Sequence, residues 1–241
     1  MATVDVVLPV YNEAHVLERS VRTLHLFLTE NLNHEWRIVI ADNGSRDGTF
    51  AIAQRLADEL KDVAAVHIPE AGRGRALTGA WLGSEAEVLS YMDIDLSTDL
   101  EAFPRLIAAV ASGGYDIAAG TRLGPGTETT RAVTREILSR GFVLLINLPF
   151  RTSLRDTQCG FKAIRRECAR KLLPFVKDTG WFWDTELLLL AAKSGWRVTF
   201  IPVRWVEDPD SRVRVVSTVW RDLKGLWRMY RFDWSKTRKD G

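Results

Sequence analysis

Two aspartates one residue apart, Asp93 and Asp95, have the clearest chemical potential in this chain. They follow an apolar run, residues 87–92, which predicts a buried strand that ends where the acids begin. Carboxylates at this spacing can offer oxygen ligands to a hard divalent cation such as Mg²⁺ or Mn²⁺. Such an ion can bridge nucleotide phosphates and neutralise a departing diphosphate. The alternative is that the acids only cap a helix predicted to begin near Thr98 and Asp99.

The elements that must position this pair alternate along the first half of the chain. Strands are predicted at residues 4–10, 36–41, 63–68, 87–92, 115–119 and 196–202. Helices are predicted at residues 13–28, 47–60, 72–83, 100–111, 131–148 and 184–193, with a loop at residues 155–162. This alternation predicts an α/β fold with a Rossmann-like, mostly parallel central sheet flanked by helices.

Polar clusters follow each of the first four predicted strands. They are Tyr11-Asn12-Glu13, Asp42-Asn43, residues 70–75 and Asp93-Ile94-Asp95. Ligands of parallel α/β sheets lie beyond the carboxyl ends of the strands, so we expect these clusters to meet at one site. That convergence favours metal binding over helix capping for the two aspartates. In the third cluster, Gly72-Arg73-Gly74-Arg75 opens a helix, where free N–H groups and arginines favour phosphate, although such glycines are common in purely structural turns.

Composition excludes several functional classes. The 241 residues are 46% apolar and 27% charged, which is typical of a globular protein, and a net charge of +2 argues against nucleic-acid binding. Cys159 and Cys168 form neither a disulfide framework nor a zinc motif, and the four histidines do not cluster. The longest apolar stretch, residues 142–150, is short of the roughly 20 residues that span a bilayer. With no secretion signal visible, we expect a cytoplasmic protein.

The C-terminal segment has a different character from the rest. Residues 212–241 hold nine Lys or Arg and three Asp, and residues 215–231 predict an amphipathic helix with an aromatic stripe between cations. This helix could lie in a membrane interface, pack on the protein's own core, or dock on a small membrane protein. We expect one domain over residues 1–212, with residues 213–241 as a basic segment and not a separate domain.

Three motifs together resemble the signatures of family 2 glycosyltransferases. They are residues 9–13 (Pro-Val-Tyr-Asn-Glu), residues 41–49 (Ala-Asp-Asn-Gly-Ser-Arg-Asp-Gly-Thr) and the Asp93-Ile94-Asp95 triplet. Residues 156–162 are similar to the dolichyl-phosphate glucosyltransferases and mannosyltransferases, and residues 183–188 and 202–205 look closest to the glucosyl branch. The resemblance covers roughly residues 3–215. It implies the GT-A fold and a nucleotide-sugar donor.

The resemblance also implies roles for residues at the donor site. Nucleobase and ribose would be bound by Pro9, Tyr11, Glu13 and Asp42. Arg73, where the family usually has lysine, would contact the donor phosphates. Asp93 and Asp95 would hold Mg²⁺ or Mn²⁺ with the diphosphate, and Asp95 is expected to be essential for catalysis.

A second group of implied roles concerns the acceptor and the sugar. The acceptor phosphate would be bound by Arg122, Arg135, Ser139 and Lys162, with the two arginines also acting in catalysis. Asp184 and Glu186 would face the sugar pocket as catalytic residues. The simpler alternatives are that the arginines form surface ion pairs and that the two acids cap their helix.

Three departures from the family pattern qualify these roles. Asn43 replaces the usual second aspartate, and Ser97 stands where some relatives place a metal-binding glutamine. Ile201 occupies the glutamine position of the processive-synthase signature, which argues against a polymerising enzyme.

The resemblance implies an inverting, metal-dependent hexosyltransferase that moves a hexose from a nucleotide sugar to polyprenyl or dolichyl phosphate. We expect UDP-hexose as the favoured donor, with GDP-mannose as an alternative. The enzyme would associate peripherally with the cytoplasmic face of a membrane. A glycosyltransferase with a saccharide or other soluble acceptor is the alternative within enzymes, and a non-catalytic nucleotide-sugar-binding protein is the alternative outside them.

Overall fold

The computed structural model describes residues 1–130, 133–206 and 215–239, without the side chains of 128–138 and 215–219. The strands are β1 (Thr3–Val10), β2 (Glu35–Asp42), β3 (Val63–His67), β4 (Val88–Met92), β5 (Ile117–Thr121), β6 (Glu128–Thr130), β7 (Phe161–Arg165), β8 (Val198–Pro202) and β9 (Arg204–Val206). The helices are α1 (Leu17–Asn31), α2 (Thr49–Glu59), α3 (Arg73–Leu82), α4 (Phe103–Ala111), α5 (Val133–Phe150), α6 (Arg166–Leu172), α7 (Trp183–Lys193) and α8 (Val215–Tyr230).

Seven of these strands form one sheet in the order β3-β2-β1-β4-β7-β5-β8. The neighbouring strands are parallel except where β7 runs antiparallel between β4 and β5. Strands β6 and β9 pair separately in parallel. The predicted α/β class with a mostly parallel sheet is therefore confirmed.

The strand β7 corrects the prediction of a loop at residues 155–162. Phe161 and Lys162 begin this strand, and both side chains are fully buried. The five-residue run contains a lysine at a position that faces the interior, so its apolar pattern is too short and too interrupted to predict a strand. Tertiary pairing with β4 and β5 decides its conformation.

Helices cover both faces of the sheet. On one face the apolar sides of α1, α2 and α4 pack against alternate strand residues, among them Val6 and Ile38. On the other face α3, α6 and α7 pack with the buried sides of α5 and α8 against the intervening strand residues, among them Val7 and Val39. Alternation of side chains along each strand supplies both cores, which is why the strands are almost uniformly apolar.

The C-terminal helix α8 packs on the core through one face only. Leu226 and Met229 are buried, and a Cβ at Gly225 would overlap the Phe182 ring, so the glycine allows close approach. The opposite face, which we call the outer face, exposes Trp220, Leu223, Trp227 and Tyr230. The neighbouring helix α5 also exposes leucines, namely Leu144, Leu145 and Leu148. Core packing is thus confirmed for one face, and the other remains available to a partner.

Across the described ranges, no helix has both the length and the apolar character needed to cross a lipid bilayer.

Candidate active site

Three strand ends lie side by side at one edge of the sheet. β1 pairs in parallel with both β2 and β4, which places Val10 opposite Asp42 and Val7 opposite Tyr91. The chain segments that follow these strands are therefore neighbours. The expected convergence of the first, second and fourth polar clusters is confirmed.

The first two motifs hold each other in place through backbone amides. The Asn12 amide donates to Ser45 Oγ at 2.9 Å, and the Arg46 amide donates to Asn12 Oδ1 at 2.8 Å. The Glu13 amide donates to Thr49 Oγ1 at 2.9 Å. Asn12 has a φ of 55°, a left-handed conformation that asparagine tolerates better than most residues. These bonds fix the turn after β1 against the turn after β2.

Asp42 forms a buried acceptor at this end of the site. Its side chain is fully buried, with Oδ2 2.7 Å from His67 Nδ1. Its other oxygen, Oδ1, has no hydrogen-bond partner among the described residues. Buried polar atoms are normally paired, so this oxygen is suited to accept an N–H group from a ligand. Of the other residues predicted to bind the nucleobase and ribose, Pro9 and Glu13 are half-buried and Tyr11 is exposed.

The start of α3 differs from the sequence expectation. The Gly74 and Arg75 amides both donate to Thr179 O, at 2.9 and 3.4 Å, and the Gly72 amide donates to Asn43 Oδ1 at 2.5 Å. These three amides, at the helix start predicted to be free for phosphate, are therefore occupied. The reason is that residues 177–180, distant in sequence, lie across the beginning of this helix.

A compact cluster of charges lies where β4 ends. Arg73 donates to Asp93 Oδ1 at 2.8 Å and to Asp184 Oδ2 at 2.7 Å. Asp184 also pairs with Lys162 Nζ at 2.9 Å and accepts a short hydrogen bond from the Tyr91 hydroxyl. Asp184 and Lys162 are almost fully buried, whereas 38% of the Asp93 side chain is exposed. The exposed carboxylate is thus held by a buried network.

The buried charges shift one another's protonation equilibria. Burial acts to raise the pKa of Asp184, but Lys162 and Arg73 outweigh it and hold the pKa below its ordinary value. Burial and then the Asp184 charge raise the pKa of the Tyr91 hydroxyl well above its usual range. Asp184 is therefore ionised and Tyr91 remains a hydrogen-bond donor at neutral pH.

The two aspartates after β4 have the chemistry of a shared metal site. Asp95 Oδ1 accepts the Ser97 amide at 3.0 Å, and the Asp93 amide donates to Gly160 O at 3.2 Å. Within residues 1–130, 133–206 and 215–239, no three His, Cys, Asp or Glu side chains are grouped as metal ligands. Two carboxylates that leave the other positions to phosphate oxygens and water are a common arrangement for Mg²⁺. The residues present fit an ion that binds together with a diphosphate.

Arg122 is fixed by an acid from the residue 156–162 motif. Its Nε and Nη2 donate to the two Asp156 oxygens at 2.9 and 3.1 Å, and its backbone amide donates to Asp156 Oδ2 at 3.0 Å. Burial acts to raise the pKa of Asp156, but Arg122 holds it below the ordinary value. The guanidinium lies 5.4 Å from the centre of the Trp205 ring. Asp156 and the Trp205 ring therefore fix the orientation of this guanidinium.

The remaining predicted acceptor residues are placed differently. Lys162 is fully buried and donates to Cys159 O at 2.5 Å as well as to Asp184, so its ammonium is directed into the cluster and not to the surface. Ser139 lies half-buried on α5. The side chain of Arg135 lies outside the described residues.

Asp184 and Glu186 point to different surroundings, as residues two apart on a helix do. Glu186 accepts the Lys177 and Asp178 amides at 3.0 and 2.8 Å, and it pairs with Arg228 of α8 at 2.9 Å. None of these partners belongs to the Asp93 cluster. Both acids lie in the first turn of α7, as predicted, but only Asp184 is brought to Arg73.

Sequence reasoning gave no role to several residues that the fold brings to this site. Tyr91 looked like one more apolar position of β4, and Trp181 like one of many C-terminal tryptophans. Trp181 is 45% exposed, and its ring centre lies 5.1 Å from the Arg73 guanidinium. An aromatic residue two positions before a Trp-Asp-x-Glu helix start was the available signal for Trp181.

The pattern of glycosyl transferase family 2 matches residues 5–173 of the chain. The chain belongs to glycosyl transferase family 2. The predicted family is therefore confirmed.

Two curated relatives share much of the chain. Glycosyltransferase AglD of Haloferax volcanii is 40% identical over 228 residues, which cover 92% of this chain and 35% of that protein. A dolichyl-phosphate beta-glucosyltransferase of Trichomonas vaginalis is 31% identical over 220 residues, which cover 87% of this chain and 65% of that protein. The chain thus spans about a third of the first relative's length and less than two thirds of the second's.

A solved structure with the same fold is glucosyl-3-phosphoglycerate synthase from Mycobacterium tuberculosis in complex with Mn²⁺ and UDP-glucose. Its TM-score is 0.68 at 18% identity, with 100% of this chain and 81% of that chain covered. The same enzyme with Mn²⁺, UDP-glucose and phosphoglyceric acid gives a TM-score of 0.71 at 16% identity, with 96% and 81% covered. At 16–18% identity, the similarity to these structures bears only on the fold. It confirms the predicted GT-A fold.

Proposed function

We propose that the chain transfers a hexose from UDP-hexose to polyprenyl phosphate, with inversion at the anomeric carbon, at the cytoplasmic face of a membrane. UDP-glucose is the favoured donor because dolichyl-phosphate beta-glucosyltransferases are among the relatives.

The observation that carries this proposal is a pair of acids with complementary properties at one sheet edge. Asp42 is buried and keeps one oxygen without a partner, whereas Asp93 is partly exposed beside Arg73. The first suits the N–H of a nucleobase, and the second suits a cation with its diphosphate. A nucleoside diphosphate needs both kinds of contact.

The chemistry requires no strong general base. The second pKa of a phosphate monoester is about 6, so a lipid phosphate is largely ionised at neutral pH and can attack the anomeric carbon directly. The bond from that carbon to the diphosphate oxygen breaks as the new bond forms. The protein must hold two anionic groups in line and stabilise the departing diphosphate. Arg122, oriented by Asp156, would bind the acceptor phosphate, and Arg73 would face the diphosphate.

A divalent cation held by Asp93 and Asp95 would supply charge neutralisation at the diphosphate. Mn²⁺ in the structural neighbours supports such an ion without deciding between Mn²⁺ and Mg²⁺.

The outer face of α8 supports a membrane location for the acceptor. Trp220 and Trp227 are 62% and 63% exposed, and Lys224 and Arg231 lie over these two rings. Aromatic rings at the level of the lipid headgroups, with cations beside them, are typical of interfacial helices. The alternative occupant of this face is a small membrane protein.

The test supplies the chain with polyprenyl phosphate in vesicles, Mg²⁺ or Mn²⁺, and radiolabelled UDP-glucose, UDP-N-acetylglucosamine or GDP-mannose. We expect butanol-extractable label from UDP-glucose. Label that stays in the aqueous phase with every donor would reject the lipid acceptor, and tight donor binding without any transfer would indicate a non-catalytic binding protein.

Asp95→Asn is the matched inactive variant, and we expect it to abolish transfer while the circular dichroism spectrum is unchanged. Asp58→Asn removes an exposed carboxylate of α2 and serves as the control with unchanged transfer. Full activity in Asp95→Asn would refute the proposed site.

A further inference from the structure

Residues 176–181 form a loop that connects the core to the start of α7 and lies beside the Asp93 cluster. Thr179 O accepts the Gly74 amide of α3 at 2.9 Å, which fixes the middle of the loop. The loop ends at Trp181, whose ring lies 5.1 Å from the Arg73 guanidinium, while Tyr91 lies 4.9 Å from the same group on β4. Arg73 thus has an aromatic neighbour on the loop and another in the core.

Trp181 differs from its aromatic neighbour in its exposure. Tyr91 is fully buried, but 45% of Trp181 is exposed. The Arg73 guanidinium contacts both the Trp181 ring and the partly exposed Asp93. An exposed indole at a fixed place beside a charged site offers a flat apolar surface to a ligand. The apolar C–H face of a hexose ring fits such a surface.

Glu186 holds the beginning of this loop. Its Oε2 accepts the Lys177 amide at 3.0 Å and the Asp178 amide at 2.8 Å, and the side chain is 1% exposed. Arg228 of α8 donates to the same carboxylate through Nε at 3.2 Å and Nη2 at 2.9 Å. One buried carboxylate therefore joins α7, the loop and the C-terminal helix.

We propose that Glu186 is a positioning residue which, with Arg228, sets the loop so that Trp181 packs against the hexose of the donor. This inference rests on the proposed use of a nucleotide sugar and deepens it. Trp181 would contact the sugar, while Glu186 and Arg228 would act only through the loop. The C-terminal helix would then be part of the donor site through its inner side, separately from its outer face.

A buried carboxylate that serves only stability would have no preference for one ligand over another. If Glu186 acts through Trp181, its loss should weaken binding of the sugar moiety and spare the nucleotide. UDP-glucose carries the hexose, whereas UDP has a free terminal phosphate with one more ionisable oxygen. Comparing each ligand's affinity between the parent and a variant cancels that difference and isolates the effect on the hexose.

The experiment measures the affinities of UDP-glucose and UDP by calorimetry with Mn²⁺ present, which needs neither lipid nor turnover. We expect Trp181→Ala, Glu186→Gln and Arg228→Met each to weaken UDP-glucose binding roughly five- to tenfold and to change UDP binding less than twofold. Trp181→Phe should restore part of the loss. The double variant Trp181→Ala/Glu186→Gln should be no weaker than Trp181→Ala, because both act on the same contact.

The matched controls are Trp220, on the outer face of α8, and Arg231, directly after this helix. Trp220→Ala and Arg231→Met remove an exposed tryptophan and an exposed arginine, and both should bind UDP-glucose like the parent protein. Equal weakening of UDP and UDP-glucose in the three variants, no weakening, or additive effects in the double variant would each overturn the inference. A parent protein that binds neither ligand would instead refute the proposed donor.

Discussion

Asp222 on α8 should make the stability of the fold depend on pH. Its carboxylate is 4% exposed, accepts Gln158 Nε2 at 3.2 Å and leaves Oδ1 without a partner among the described residues. Burial, and then the nearby Asp178 charge, raise the pKa of Asp222 from 3.8 to about 6. A protonated Asp222 would be neutral, which removes the cost of a buried charge.

The sign and size of the effect follow from this shift. A raised pKa means that the folded state binds the proton more tightly than the unfolded state, so the stabilisation is complete below pH 3.8 and is lost as pH rises through about 6. The shift of about two units corresponds to about 3 kcal/mol at 1.4 kcal/mol per unit, and to about half that where solvent screens the carboxylate. Asp222→Asn should therefore be more stable than the parent by about 1.5–3 kcal/mol at pH 8.

Urea unfolding at several pH values between about 3.5 and 8 tests this reasoning. The free energy of unfolding of the parent should fall relative to that of Asp222→Asn as pH rises from 3.8 to about 6, stay level above that range, and converge with it below pH 3.8. The exposed Asp58→Asn variant controls for the loss of one charge and should follow the parent. Parallel curves for the parent and Asp222→Asn would show that the carboxylate is not held in a protonation-sensitive environment.

Three glycines allow further predictions. A Cβ at Gly160 would overlap the Asp93 carboxylate, so Gly160→Ala should displace that side chain and lower transfer roughly 10²-fold with the fold retained, and unchanged transfer would contradict this placement. A Cβ at Gly225 would overlap the Phe182 ring, so Gly225→Ala should lower the free energy of unfolding by about 1–3 kcal/mol in urea titrations. Gly141 on α5 has nothing within 4 Å of such a Cβ, so Gly141→Ala should instead raise the free energy of unfolding by about 0.5–1 kcal/mol. Equal effects of alanine at Gly141 and Gly225 would refute the packing argument.

The parallel part of the fold was predictable because its pattern is local. β1 to β4 are apolar runs that end at polar clusters. Strands that alternate with helices along the chain predict a parallel sheet covered by helices, with few possible topologies. β7 was not predictable from its own residues. Its lysine faces a buried carboxylate from α7, and an antiparallel insertion between parallel strands depends on partners far away in sequence.

The site was predictable in its location but not in its pairings. Motif positions brought Asp42 and Asp93 to one edge, whereas nothing local indicated that Arg73 would pair with Asp184, 111 residues away. The same holds for Glu186, whose place in the first turn of a helix suggested a role in the sugar pocket. Its partners on the loop and on α8 become apparent only when the C-terminal helix is docked.

The charges around Asp93 explain why an arginine at position 73 suits this site. The Arg73 guanidinium reaches Asp93 and Asp184 at once through Nη1 and Nη2, a forked geometry that a lysine ammonium does not reproduce. Together with Lys162, it balances the two carboxylates. A diphosphate adds negative charge to this balanced cluster, and Arg73 could turn toward it only by giving up an ion pair, such as the one with the partly exposed Asp93. A divalent ion on Asp93 would remove that cost, so the Arg73–Asp93 pair would hold the carboxylate in position until donor and ion bind together.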